Sequence, residues 1–232
     1  PSGRRVRVHT TRLVSFTHRS IVAMSYEVEA LDVPIRVVLQ SELVANESTP
    51  GASNDPRAAA VLDRPLEPFE HDVRGKRLLL VHRTRQSGRT VAAAADHQLD
   101  VPEDAPYDFY AESRPDWGRM TVTAALQPGQ KLVLRKFVSY GWSSLRSEPA
   151  LRDQVAAGLT GAMHTGWVGL VASQRAFLEE FWAGADVEIG GDPTLQQAVR
   201  FALFHVLQSG VRAEERPIPA KGLTGPGYDG HR

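Results

Sequence analysis

The residues best suited to chemistry lie in the last part of the chain, between Pro217 and Arg232. Glycines at positions 222, 225, 227 and 230 recur every two or three residues, and polar or aromatic side chains stand among them. A run this rich in Gly and Pro predicts a shaped loop rather than a helix or a central strand. Loops of this kind carry binding groups and let a ligand approach the backbone closely. We therefore predict that this loop binds a ligand through Lys221, Tyr228, Asp229 and His231, with a buried connector as the alternative.

Other chemistries have no matching pattern in the sequence. Cysteine is absent and the eight histidines are scattered, so no zinc-type cluster is predicted. No phosphate-binding glycine loop and no nucleophile-elbow motif occurs. The sequence thus indicates no catalytic residue, no metal ligand and no organic cofactor. Four tryptophans could act as sugar platforms, but core or interdomain packing is the favoured interpretation for Trp117, Trp142, Trp167 and Trp182.

Composition excludes several classes of partner. The chain has 232 residues with 27 basic and 27 acidic side chains, so it has no global charge that would attract nucleic acid or an anionic membrane. No stretch approaches 18 consecutive apolar residues, which argues against a spanning segment. No signal peptide opens the sequence, and we expect a cytoplasmic location.

Residues 4 to about 145 are predicted to form β-structure. Apolar residues alternate with polar ones in several segments, including Val22–Ala30, Ile35–Leu43 and Met120–Leu126. At least seven strands separated by turn signals, with no helical period between them, favour two antiparallel sheets packed as a sandwich. The segment from Asn46 to Arg74 is interpreted as a long irregular insertion.

The pattern changes to helical near Ser147. Ser147-Glu148-Pro149 and Asp192-Pro193 both place a capping side chain before a proline in the first helical turn. The first helix is predicted to reach about Gly184, with a break between Gly158 and Gly166. The predicted domains are therefore a partial N-terminal β-sandwich at 1–146, a helical linker at 147–191, and the start of a further domain at 192–232.

Three runs carry a family resemblance. They are Asp186-Val187-Glu188-Ile189-Gly190-Gly191-Asp192-Pro193, then Gln196-Gln197-Ala198-Val199-Arg200-Phe201, then Ile218 to His231. Together they resemble glycoside hydrolase family 65, which contains maltose, trehalose and kojibiose phosphorylases and related trehalose hydrolases. The upstream run Ser41-Glu42-Leu43-Val44-Ala45-Asn46 is similar to the N-terminal β-domain of that family.

The resemblance implies a fold and a reaction. Family members have an N-terminal β-sandwich, a helical linker and an (α/α)6 catalytic barrel, so the helix after Asp192 would be the first barrel helix. The reaction is inverting cleavage of an α-glucosidic disaccharide such as trehalose, maltose or kojibiose. A carboxylic acid protonates the glycosidic oxygen while phosphate, or water in the hydrolases, attacks C1 from the opposite face. Inorganic phosphate would then be a co-substrate, and the four loop residues would form the rim of a sugar pocket.

By this template the family motif is expected to continue after His231 into Phe-Trp-Asp, and the catalytic glutamate is expected further along. We therefore expect a truncated barrel, no activity from the chain alone, and association through the exposed helix, with a homodimer as one form. The alternative is a non-catalytic carbohydrate-binding or oligomerising β-sandwich module.

Overall fold

The computed structural model describes residues 3–47 and 64–210. In these ranges the chain forms nine strands and two helices. They are β1 (Val6–Val14), β2 (Ile21–Ala30), β3 (Ile35–Val44), β4 (Leu66–Arg74), β5 (Arg77–Thr84), β6 (Thr90–Asp100), β7 (Tyr107–Arg114), β8 (Trp117–Leu126), β9 (Lys131–Ser143), α1 (Glu148–Ala185) and α2 (Pro193–Gly210).

The strands form two antiparallel sheets, as the sequence predicts. The larger sheet has the order β1-β2-β9-β6-β5-β4, and the smaller has the order β3-β8-β7. These strands and the helix as far as residue 171 belong to one compact unit, and the described part of a second unit is residues 172–210.

Each face of the larger sheet packs against a different layer. Alternate residues such as Val28 and Leu132 pack against the smaller sheet in one apolar cluster. The opposite face, with Ala94 and Phe137, packs against α1 in a second cluster. Side chains of successive strand residues point to opposite faces, so one strand can serve both clusters. The first unit is therefore a sandwich with a helix on the outer face of its larger sheet.

The start of α1 follows the predicted cap. The helix begins at Glu148, and the Ser147 carbonyl accepts a hydrogen bond from Leu151 N at 3.0 Å. A kink occurs at Gly166, whose φ of 68° lies in the left-handed region that favours glycine. The helix is long and apolar enough to cross a membrane by length and composition alone, contrary to the expectation from the sequence. Core helices pass the same test, and Leu151, Val155 and Leu159 of α1 are buried against the sheet.

One strand contradicts the sequence interpretation. Residues 66–74, interpreted from the sequence as part of an irregular insertion, form β4. This strand lies at the edge of the larger sheet. The pairing of β4 with β5 shifts between Pro68 and Glu70, as expected for a proline, which is tolerated at sheet edges and bulges. The side chains of β4 are exposed or half-buried, so apolar residues do not repeat on one face.

The close approach of α1 to the larger sheet depends on Gly158. A Cβ atom at this position would lie 2.9 Å from Ser139 Oγ, whereas a Cβ at Gly161 would meet nothing within 4 Å. We expect Gly158→Val to lower the free energy of unfolding by about 1–3 kcal/mol, because it overpacks this contact. The matched Gly161→Val should change it by less than about 0.5 kcal/mol. Denaturant melts of the two variants compare these effects, and equal melts would contradict the packing.

In the second unit, α2 begins where the sequence predicts. Asp192 Oδ1 accepts hydrogen bonds from Thr194 N at 2.9 Å and Leu195 N at 3.0 Å. Asp186 pairs with Arg200 and ties the preceding segment to the helix. None of the α2 residues is buried among those described, and Phe201 and Val206 are each 63% exposed.

Candidate functional site

The four predicted ligand-binding residues, Lys221, Tyr228, Asp229 and His231, lie outside the described residues. Their role as the rim of a sugar pocket stays a prediction. Other groups that can do chemistry lie in the described part of the chain.

The tryptophans fall into different environments. Trp167 packs against the apolar cluster beneath α1, and Trp182 meets Phe181 edge to face at 4.9 Å. The Arg119 guanidinium lies 4.3 Å from the Trp117 ring centroid and covers one face of that ring. Trp142 differs, since it is 58% exposed and stacks with Tyr140 at 6.4 Å. Core packing therefore accounts for Trp167 but not for Trp142.

The run Ser41 to Asn46, which carries part of the family resemblance, makes several polar contacts at one end of the sandwich. Glu42 accepts hydrogen bonds from Trp117 Nε1 at 3.2 Å and Arg119 Nε at 2.7 Å. Asn46 exchanges hydrogen bonds with the backbone of Leu66 and also donates to Asp116 at 2.9 Å. This run therefore joins the smaller sheet to the start of β4.

Ser41 and His97 form a buried hydrogen-bond relay between the sheets. His97 Nδ1 lies 2.7 Å from the Lys76 carbonyl oxygen, which can only accept, so Nδ1 carries the proton. His97 Nε2 is then the acceptor for the Ser41 hydroxyl at 2.7 Å. His97 is 1% exposed and Ser41 is 8% exposed. The relay fixes the imidazole tautomer and the hydroxyl rotamer.

Burial also fixes the charge of this histidine. Desolvation lowers the pKa of His97 to about 4, and the Lys136 ammonium acts in the same direction. The hydrogen bond to the Lys76 carbonyl and the charge of Asp96 oppose this shift. His97 is therefore neutral near pH 7, as an acceptor of the Ser41 proton must be.

Beside this relay is a cavity of about 420 Å³. Its lining comes from β1, β2 and β9 of the larger sheet and from β3, the edge strand of the smaller one. The volume is within the range of small-molecule sites. Ser41 lines the cavity together with Arg12, Met24, Leu39 and Lys136.

Strand register places the basic groups of this cavity in one row. Arg12 is opposite Met24, Met24 is opposite Lys136, and Lys136 is opposite His97. Directly opposed residues share one face of a sheet. Leu134, two residues before Lys136 on that face, belongs to the cluster between the sheets. The row therefore faces the smaller sheet.

Among the described residues, neither Arg12 nor Lys136 forms an ion pair, and the Lys136 ammonium donates to the Glu42 carbonyl. Desolvation lowers the pKa of Lys136, while the Glu42 charge raises it by a smaller amount. The Arg119 hydrogen bond lowers the pKa of Glu42 and holds that carboxylate on the outer face of the smaller sheet.

Sequence reasoning missed this row. Lys136 follows Leu132 and Leu134 at a spacing of two, so the alternation places it on an inward face. This alternation is the sequence signal that could have located Lys136 in the row. Within 3–47 and 64–210, no group of three or more His, Asp or Glu side chains is placed to hold a metal ion.

A two-sheet antiparallel sandwich followed by a covering helix is the class of domain that these observations define. Residues 1–181 match the sequence profile described as "Glycosyl hydrolase family 65, N-terminal domain". The chain therefore belongs to glycosyl hydrolase family 65, as the resemblance in its sequence indicates.

Relatives extend this match over the whole chain. An uncharacterized glycosyl hydrolase of Mycobacterium tuberculosis is 54% identical over 231 residues, covering 100% of this chain and 29% of the relative. The alpha,alpha-trehalose phosphorylase of Thermoanaerobacter brockii is 32% identical, over 100% of this chain and 30% of the relative. The chain thus spans less than a third of the length of these proteins.

A solved structure supports the fold. The "Putative kojibiose phosphorylase from human microbiome" superposes with a TM-score of 0.83 at 19% identity, covering 100% of this chain and 29% of that one. At this identity the likeness shows the fold alone.

Proposed function

We propose that this chain supplies the N-terminal β-sandwich, the linker helix and the first barrel helix of an enzyme that phosphorolyses an α-glucosidic disaccharide. The observation that carries the proposal is the alignment of the whole chain with 30% of the length of an alpha,alpha-trehalose phosphorylase. Trehalose, maltose and kojibiose are the proposed substrate class, with inorganic phosphate as co-substrate.

The chemistry of phosphorolysis indicates which groups this chain is proposed to supply and which another region supplies. Phosphorolysis needs one carboxylic acid to protonate the leaving oxygen and an anion site for the attacking phosphate. On the family template both belong to a region beyond this chain. Lys221, Tyr228, Asp229 and His231 are proposed to contribute the rim of the sugar pocket. The domain division at 1–146, 147–191 and 192–232 is part of the same proposal.

Partners and location follow from the proposal. We propose a cytoplasmic location without a membrane partner, because Leu151, Val155 and Leu159 of α1 pack in the first unit. We propose no nucleic-acid partner, because the 27 basic and 27 acidic side chains balance. The exposed side of α2, including Phe201, is proposed to be covered by further barrel helices, and to cause homodimerisation when it is uncovered.

The chain alone is expected to show no turnover. It would be incubated separately with trehalose, maltose and kojibiose, with and without phosphate, and glucose and β-glucose 1-phosphate would be measured. Formation of either product would contradict the assignment of catalysis to another region.

Two further measurements test the proposal. The first is calorimetric titration of this chain with the same disaccharides. Saturable binding would favour the alternative, a non-catalytic carbohydrate-binding module. The coding sequence downstream of Arg232 is expected to continue in frame with Phe-Trp-Asp, and an immediate stop codon would count against the proposal.

A further inference from the structure

The cavity between β1, β2, β9 and β3 has the features of an anion site. Its two cationic side chains, Arg12 and Lys136, share one face and are separated by the intervening strand β2. Neighbouring strands lie about 4.8 Å apart, so the Cα atoms of this pair are about 10 Å apart. Long side chains reaching inward from that distance can both contact one acid group placed above Met24.

The charge balance of the cavity favours an anion. Glu42 is the acidic residue in its lining, and its carboxylate is already held by Arg119 and Trp117. Lys136 is half-buried and meets a carbonyl oxygen rather than a carboxylate. The desolvation of its ammonium is therefore only partly compensated, and a bound oxyanion would supply the missing interaction.

The rest of the lining indicates an organic ligand. Leu39 and Leu134 provide apolar surface, while Thr10 and Ser41 provide hydroxyl groups. The Ser41 hydroxyl is oriented by His97, so its oxygen keeps lone pairs available as acceptors. Apolar walls with a few oriented polar groups are typical of small-molecule sites.

We propose that this cavity binds a small organic oxyanion, whose phosphate or carboxylate group lies between Arg12 and Lys136 and whose polar body contacts Leu39 and Ser41. The site is in the β-sandwich and does not depend on the proposed phosphorolysis. It is distinct from the loop at 217–232.

The test is calorimetric titration of the chain with four probes: glucose 6-phosphate, glucuronate, inorganic phosphate and glucose. At least one of the two sugar anions is expected to bind saturably and more tightly than inorganic phosphate, and glucose is expected not to bind. Binding of glucose 6-phosphate alone would identify the acid group as phosphate, and binding of glucuronate alone would identify it as carboxylate. Added sodium chloride should weaken the binding.

Variants locate the site. Arg12→Gln and Lys136→Met are each expected to weaken binding of the sugar anion at least about tenfold, equivalent to about 1.4 kcal/mol. Arg7→Gln is the matched control, because Arg7 is on the opposite face of β1 and pairs with Glu29. Arg12 is exposed, so its variant tests the site even if Lys136→Met does not fold.

Three results would overturn the proposal. The first is no saturable binding of glucose 6-phosphate or glucuronate, and the second is that inorganic phosphate binds as tightly as each of these sugar anions. The third is that Arg12→Gln binds the sugar anion with unchanged affinity.

Discussion

Replacing Leu159 with alanine is expected to lower the free energy of unfolding by about 2–5 kcal/mol, the usual range for a buried leucine. Leu159 is on α1, is 0% exposed and belongs to the cluster that the helix forms with the larger sheet. Neighbouring Phe137 and Ala94 are also fully buried, so little room exists for the site to collapse around the missing atoms. Urea melts followed by circular dichroism would measure the loss.

The control for this variant is on the same helix. Val168 is 80% exposed, and Val168→Ala should change the free energy of unfolding by less than about 0.5 kcal/mol. A similar loss from both variants, or none from Leu159→Ala, would mean that α1 does not pack on the sheet as described. The comparison therefore tests the packing of α1 on the larger sheet separately from the amount of helix in the chain.

Acid is expected to destabilise the chain through His97. The pKa of this buried side chain is about 4 in the folded protein, against 6.5 for an ordinary histidine. Between these values the unfolded chain binds more protons than the folded chain, so the stabilising contribution is complete above about pH 6.5 and is lost as the pH falls towards 4. A shift of this size corresponds to about 3 kcal/mol.

The variant His97→Gln isolates this contribution. A glutamine amide can donate to the Lys76 carbonyl and accept from Ser41, so it can replace the relay without titrating. Its unfolding free energy should fall less between pH 6.5 and pH 4 than that of the unmodified chain, by about 3 kcal/mol.

Other groups also titrate in this window, so the difference between proteins is the informative quantity. The pKa of Glu42 is lowered by its contacts with Arg119, and that carboxylate adds acid sensitivity in both proteins. His9→Gln serves as a control, because the His9 side chain is 68% exposed. Equal pH dependence for His97→Gln and the unmodified chain would contradict a neutral buried His97.

The sequence predicted strands with one buried face well and a largely exposed strand poorly. Alternation located β2, β3 and β8, whose inward residues are buried on one face. Capping residues located the starts of α1 and α2, because caps act through the neighbouring backbone. The residues of β4 were interpreted as irregular, since their exposed and half-buried side chains do not repeat apolar residues on one face.

The two candidate sites differ in how far apart their residues are in the sequence. The loop at 217–232 was found because its residues are adjacent in sequence, and its role awaits testing. Arg12, Lys136, Ser41 and His97 come from four different strands, and no local spacing connects them. Only the order β1-β2-β9-β6 brings three of them into one row.

The sequence alone therefore determined the sandwich class, the helix starts and the family, because these depend on periodicity, local hydrogen bonding and contiguous motifs. Tertiary structure decided which strands are neighbours, that α1 covers one face of the larger sheet, and that two cations share a cavity in which neither forms an ion pair with another described residue. The pairing of β2 with β9 joins residues more than a hundred positions apart. The energy of such contacts depends on register and burial, which no local pattern of residues specifies.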